Sequence, residues 1–213
     1  MIRDRGRTVV RYHNGSGTGE LRARHCVITT PAPITARIAP DLDAETAAAL
    51  RQVRYGPFVS AALLTGEAGP APWDRCYAIA APSRSFNIFL NVTSLARSAE
   101  SERRPGSSIM LFAPADLAAR LLDLDDAAIL ERFIADVDEI FPGFGAQVRE
   151  AHVRRWPLGL AYCFPGRGSL QPALTRPLER IWLAGDYLGT FYTETAITTG
   201  WRAANGILAE SGP

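Results

Sequence analysis

The residues best placed for chemistry lie near the C-terminus, where Asp186 ends an apolar run and Thr195 opens the next periodic segment. Ile181-Trp182-Leu183-Ala184 is continuously apolar, as expected of a strand covered on both faces, and Gly185-Asp186 closes it with a turn. From Thr195 onward, Ala196, Ile197, Gly200, Ala203, Ala204 and Ile207 recur at helical spacing, several of them small enough for close packing. A carboxylate at a strand end accepts hydrogen bonds from ligand hydroxyls. A helix start adds unpaired backbone N–H groups and the positive end of its dipole, which favour a ligand edge that carries or gains negative charge. An ordinary strand–turn–helix packed in a core has the same composition, so these residues alone leave both readings open.

The order of residues resembles the C-terminal FAD motif of the flavin amine oxidase superfamily, which includes the monoamine oxidases, protoporphyrinogen oxidase and the phytoene desaturases. The match runs through Ala184-Gly185-Asp186, Glu194, Ala196-Ile197, Gly200 and Ala203-Ala204; Thr195 and Thr199 stand where Gly and Ser are usual, small for small. The resemblance implies that Asp186 hydrogen-bonds the ribityl chain of FAD. It further implies that Gly185, Glu194, Thr195, Ala196 and Ile197 border the cofactor, with backbone N–H groups near Ala196 and Ile197 turned to the flavin N1/O2 edge. Tyr192 falls where monoamine oxidases place one wall of an aromatic cage, and is the candidate catalytic residue, with Phe191 and Tyr187 beside it. Tyr162 and Cys163 fall where the chain approaches the flavin ring in this family. Cys163 itself reads as a buried, unreactive thiol.

Several chemistries are excluded by what the chain lacks. It has no lysine, so all 23 basic residues are arginine, and no lysine-based step is available. The net charge of +1 gives no electrostatic case for nucleic acid or an anionic membrane. Cys26, Cys76 and Cys163 are widely spaced and form no disulfide framework or zinc motif, which points to a reducing, cytoplasmic setting. No signal region or run of about 18 apolar residues is present. No G-x-S-x-G elbow occurs, and His13, His25 and His152 are scattered.

The remaining elements follow from pattern. Residues 8–30 read as a hairpin around Asn14-Gly15-Ser16-Gly17, with its second strand running from Glu20 to Thr30. These glycines lack phosphate-loop spacing, and a strand rather than a helix follows them. His25 to Thr30 is apolar and is stopped by Pro31 and Pro33. Asp43 caps a helix reaching about Arg54. Tyr55–Thr65 is β-rich, and further strands are expected at 75–81, 85–92, 108–113 and Glu150–Trp156. Asp123 or Asp125 opens a helix whose face of Ile129, Phe133 and Val137 is apolar, while Asp136 and Asp138 face water. The fold class is α/β, mixed α+β: the C-terminal part of a Rossmann-like FAD domain plus a substrate domain with a mixed sheet and flanking helices. Residues 1–33 and 176–213 are assigned to the first and 34–175 to the second.

Members of the superfamily begin with a strand–G-x-G-x-x-G–helix unit that holds the FAD pyrophosphate, and no such unit is present in this chain. The expectation is therefore the C-terminal half of an FAD-dependent oxidoreductase, completed by an N-terminal segment in the same or another chain. The resemblance implies hydride transfer from a small amine or apolar substrate to flavin N5. Many amine oxidases hold a lysine near flavin N5; its absence favours the alternative of a desaturase or protoporphyrinogen-oxidase-like enzyme. A catalytically silent binding protein using the same half-fold is the third reading.

Overall fold

The computed structural model describes residues 2–4 and 7–211; residues 1, 5, 6, 212 and 213, within the spans 1–33 and 176–213, lie outside the described residues. Two compact units emerge, Met1–Tyr55 with Ala161–Pro213, and Gly56–Leu160.

In the first unit, β1 (Ile2–Asp4), β2 (Arg7–Asn14) and β3 (Gly17–Ala23) form an antiparallel sheet in that order. The glycine-rich segment is a hairpin turn, in which Asn14 Oδ1 accepts the Ser16 N–H at 3.0 Å. The second strand does not run on to Thr30. It breaks after Ala23, and β4 (Cys26–Ile28) joins a different sheet. Pattern explains the break, because β3 alternates charged residues on a mostly exposed ribbon, whereas Ile28 enters a core at 4% exposure. Pro31 and Pro33 stop the strand, but they also start α1 (Ala32–Ile38), which the sequence reading did not contain. Proline suits the first helical positions, where its missing N–H would have no partner anyway. Next, α2 (Ala44–Gln52) is capped by Asp43, whose Oδ1 accepts the Thr46 N–H at 2.9 Å, and it stops short of Arg54.

The second unit is a five-stranded sheet and its helices. β5 (Tyr55–Thr65) is followed by β6 (Ala78–Ala80), β7 (Ile88–Asn91), α3 (Val92–Ala96), β8 (Ser108–Pro114), α4 (Asp116–Ala119), α5 (Asp126–Ile140) and β9 (Val148–Ala161). The sheet order is β6-β7-β8-β5-β9, with antiparallel pairing from β6 through β5. Val59, Ala61 and Leu63 alternate into the core with Ile109, Leu111 and Ala113, and all six are fully buried. Ile129, Phe133 and Val137, one face of α5, are likewise buried against this cluster.

Asp125, not Asp123, caps α5, accepting the Ala128 N–H at 2.8 Å. Asp136 and Asp138 are not simply solvated: Asp136 accepts the Ser85 N–H and hydroxyl at 2.6 Å each, and Asp138 accepts the Gly145 N–H at 3.0 Å. β9 also outruns the expected Glu150–Trp156. It continues through Pro157 because Gly159 lets the strand lie against Phe58; a Cβ there would stand 2.4 Å from that of Phe58.

The chain then re-enters the first unit through α6 (Gln171–Thr175), β10 (Ile181–Leu183) and α7 (Thr193–Ser211). β10 pairs parallel with β4, matching Ile181 to Cys26 and Leu183 to Ile28, and the Ala184 N–H continues the ladder to Ile28 O at 3.0 Å. Residues near both ends therefore share one small sheet. Residues 34–55 and 161–175, which the sequence reading groups with the central segment, cluster with these end segments.

Candidate functional site

The β10–α7 junction is built around one turn. After Ala184, Gly185 takes φ +157°, and a Cβ on it would come within 2.8 Å of the Tyr187 ring. Asp186–Leu188 forms a single 3-10 turn, closed by Leu188 N–H to Gly185 O and Gly189 N–H to Asp186 O, each at 3.2 Å. Thr199, buried on α7, ties this turn to the helix. Its hydroxyl oxygen accepts the Gly185 N–H at 3.0 Å and donates to Thr195 O at 2.8 Å. The change from Ser to Thr at this position thus keeps the hydroxyl that the junction uses.

Asp186 is half-buried and makes no ion pair among the described residues. Burial pushes its carboxyl above the usual carboxylate range, only partly offset by the N–H groups of Tyr187 and Asp186 itself. Around it sits a polar cluster of which sequence reasoning named only Tyr187, and that as a neighbour of Tyr192. The Tyr55 hydroxyl accepts the Ala32 N–H at 3.1 Å, and burial pushes its pKa up to about 12, with the nearby Asp186 charge adding to the rise. Tyr187 is 1% exposed, and burial raises its pKa too. Thr35, which donates to Thr30 O at 3.0 Å, lies beside the Tyr187 hydroxyl, and that hydroxyl has no hydrogen-bond partner among the described residues.

Arg167, 7% exposed, donates to Tyr187 O and, at 3.0 Å, to Gln171 Oε1. The signal for these residues was weak. Tyr55 reads as a strand residue, and Arg167 sits in a Gly-Arg-Gly turn that normally marks an exposed loop.

The predicted site residues are brought together locally. Gly185 and Asp186 form the turn, and Glu194, Thr195, Ala196 and Ile197 lie in the first turns of α7. The helix begins at Thr193, two residues before the sequence reading. In a regular helix from there, the Ile197 N–H is spent on the Thr193 carbonyl, so the unpaired donors lie earlier, and the Thr195 N–H already meets Tyr192 O at 3.0 Å. Glu194 and the Ile197 side chain are exposed. Tyr192 is 61% exposed and stacks on Phe191, with centroids 4.5 Å apart and planes tilted by 39°. Tyr162 packs more loosely on Phe164, with centroids 6.3 Å apart. Cys163 is exposed and not buried as expected, because β9 has ended before it and the loop to Gly166 turns it outward. No cluster of three possible metal ligands exists among the described residues.

The Asp186 carboxyl and the N-terminal end of α7 fit a ligand with hydroxyl donors and an edge able to carry negative charge. The half-buried Asp186 carboxyl, without an ion pair among the described residues, is the kind of polar group that a ligand completes.

Comparison with solved structures supports the fold. A candidate protoporphyrinogen oxidase from Exiguobacterium sp. 255-15 superposes with a TM-score of 0.72 at 16% identity, covering 97% of this chain and 45% of that one. Cyclohexylamine oxidase from Brevibacterium oxydans IH-35A gives 0.72 at 18% identity, covering 95% and 48%. A putrescine oxidase gives 0.70 at 15% identity, again covering 95% and 48%. At such identities the likeness establishes the fold alone, and the chain spans about half the length of each of these proteins. No curated protein matches the chain. The family model for flavin-containing amine oxidoreductases matches residues 2–208, and the chain belongs to that family.

Proposed function

We propose that this chain is the C-terminal portion of an FAD-dependent oxidoreductase, in which the β10–α7 junction holds the cofactor. The observation that carries this reading is Asp186: a carboxylate held half-buried at the C-terminal end of a parallel strand, unpaired, beside a helix start. Ligands of α/β folds bind at that edge of the sheet. Asp186 would accept hydrogen bonds from the ribityl hydroxyls, and Gly185 would let the backbone come close. The first turn of α7, with Glu194, Thr195, Ala196 and Ile197, would border the flavin, its dipole favouring the charge gained on reduction. The chemistry that bound FAD supplies is acceptance of a hydride at N5. Tyr192, exposed and stacked on Phe191, would offer an aromatic wall that orients the substrate.

In this reading the unit with β10 and α7 is the cofactor side, and residues 56–160 form the substrate side. A segment carrying the pyrophosphate loop, in the same or another chain, completes the site. The solved relatives named for cyclohexylamine and putrescine suggest a small amine as the substrate. The absence of lysine favours a second reading, a desaturase or protoporphyrinogen-oxidase-like enzyme, in line with the Exiguobacterium structure. The three free cysteines suit a reducing compartment such as the cytoplasm. No helix among the described residues is long and apolar enough to cross a membrane.

The test is anaerobic mixing of the complete flavoprotein with small primary amines and, separately, with a porphyrinogen. Bleaching of the flavin band by either supports an oxidoreductase and tells the two readings apart. A protein that carries no flavin, or whose flavin neither class reduces, contradicts the proposal.

A further inference from the structure

Arg167 is a buried cation with no carboxylate paired to it among the described residues. Placing a guanidinium in such a position is costly unless its donors are well used, and an uncompensated buried charge is seldom kept without a purpose. Where those donors go is informative. Nη2 donates to Tyr187 O, and Nη1 donates to Gln171 Oε1 at 3.0 Å. Gln171 in turn donates through Nε2 to Leu188 O at 2.7 Å.

Tyr187 and Leu188 are the two residues that follow Asp186. The turn closes its own Gly185 and Asp186 carbonyls with the N–H groups of Leu188 and Gly189. The next two carbonyls, left over by that turn, are the ones taken by Arg167 and Gln171. Every carbonyl from Gly185 to Leu188 is thereby accounted for, two from within the turn and two from a side-chain clamp lying some twenty residues earlier in the chain. The clamp is itself fixed. Gly166, at φ +85°, opens the one-turn 3-10 helix Arg167–Leu170, and the Arg167 N–H meets Phe164 O at 3.0 Å.

We propose that Arg167 and Gln171 form a two-pronged clamp that sets the Asp186 turn, so that Arg167 is a positioning residue for cofactor binding. The inference rests on the reading of Asp186 as a flavin ligand. The clamp acts through Asp186, so its removal lets the carboxylate leave its binding position without deleting any group that touches the ligand. Arg167→Met removes both the prong and the charge, Arg167→Lys keeps the charge but not the fork, and Gln171→Met removes the second prong at a half-buried position.

The test is FAD titration, followed by flavin absorbance, on the complete protein that carries this chain. It uses Arg167→Met, Arg167→Lys, Gln171→Met and Asp186→Ala singly, and Arg167→Met combined with Asp186→Ala. Arg167→Met should raise the Kd for FAD about tenfold, the size of one lost charge-assisted contact, with Arg167→Lys and Gln171→Met in between. In the Asp186→Ala background, Arg167→Met should add no further loss, because the group it positions is gone. If Arg167→Met does not fold, Arg167→Lys and Gln171→Met carry the same comparison. A lowered melting temperature with unchanged FAD affinity in the folded variants means a structural role only and overturns the clamp, as do losses that multiply in the double variant. If Asp186→Ala itself binds FAD like the parent, the site reading fails and the clamp fails with it. If Asp186→Ala weakens binding while the clamp variants do not, only the clamp is refuted.

Discussion

At the scale of single residues, Asp186 shows what it costs to hold a carboxyl half-buried without an ion pair. Burial favours its neutral form, so the folded chain keeps a proton that the unfolded chain has already lost in the usual carboxylate range. Stability contributed at this position therefore falls as pH rises through that range and does not recover above it. Asp186→Asn, nearly isosteric and never charged, should melt at a higher temperature than the parent at neutral pH, with the difference closing in acid. Thermal melts across pH check this, and an Asn variant that melts lower at neutral pH would mean the carboxylate is stabilising where it stands. Its place directly after an apolar strand was legible in the sequence, but those residues fit an ordinary packed turn equally well, and the ligand role came from the resemblance alone. Arg167 and Gln171 were not legible: their partners are backbone carbonyls at Tyr187 and Leu188, and a carbonyl carries no sequence signal.

At the scale of elements, the junction depends on how closely α7 lies against β10. Gly206 faces Trp182, and a Cβ on it would fall 2.1 Å from the indole. Gly206→Ala should therefore cost about 1–3 kcal/mol through forced displacement of the ring, although alanine is the better helix former. Chemical denaturation measures it, and a neutral or stabilising result would show that α7 is not seated as described. Gly200 behaves oppositely, since a Cβ there would meet nothing within 4 Å. The strongly periodic elements, β5, α5 and α7, were readable because their apolar patterns repeat over several turns or pleats. Short elements were not. α1 hides behind two prolines that also read as a strand stop, and the break between β3 and β4 falls within what reads as one strand. The helix start shifted from Thr195 to Thr193 for a similar reason: the first turn is polar and has no apolar period to mark it.

At the scale of the molecule, the unit that contains β10 and α7 has a two-stranded parallel sheet, and an apolar stripe of α7 reaches solvent, with Ile197, Trp201 and Leu208 exposed. Parallel sheets are ordinarily larger and covered on both faces. The solved relatives are about twice as long. Both end segments fall in one unit with 34–55 and 161–175, and the contacts that join these pieces, such as the Thr46 hydroxyl on Ala173 O at 3.1 Å, are tertiary and carry no sequence signal. In the proposed reading, this chain alone lacks the donors for the FAD pyrophosphate. The 213-residue chain, mixed with FAD and desalted, should come through colourless; flavin retained near one per chain would contradict that expectation.

The central claim is that the β10–α7 junction holds the flavin through Asp186. Its most direct measurement is the affinity of the complete protein for FAD with Asp186 intact and with Asp186→Ala. Loss of a charge-assisted hydrogen bond should cost about 1.5–3 kcal/mol, a weakening of roughly ten- to hundredfold, without lowering the melting temperature of the cofactor-free protein. An Asp186→Ala protein that binds FAD as tightly as the parent would contradict the account.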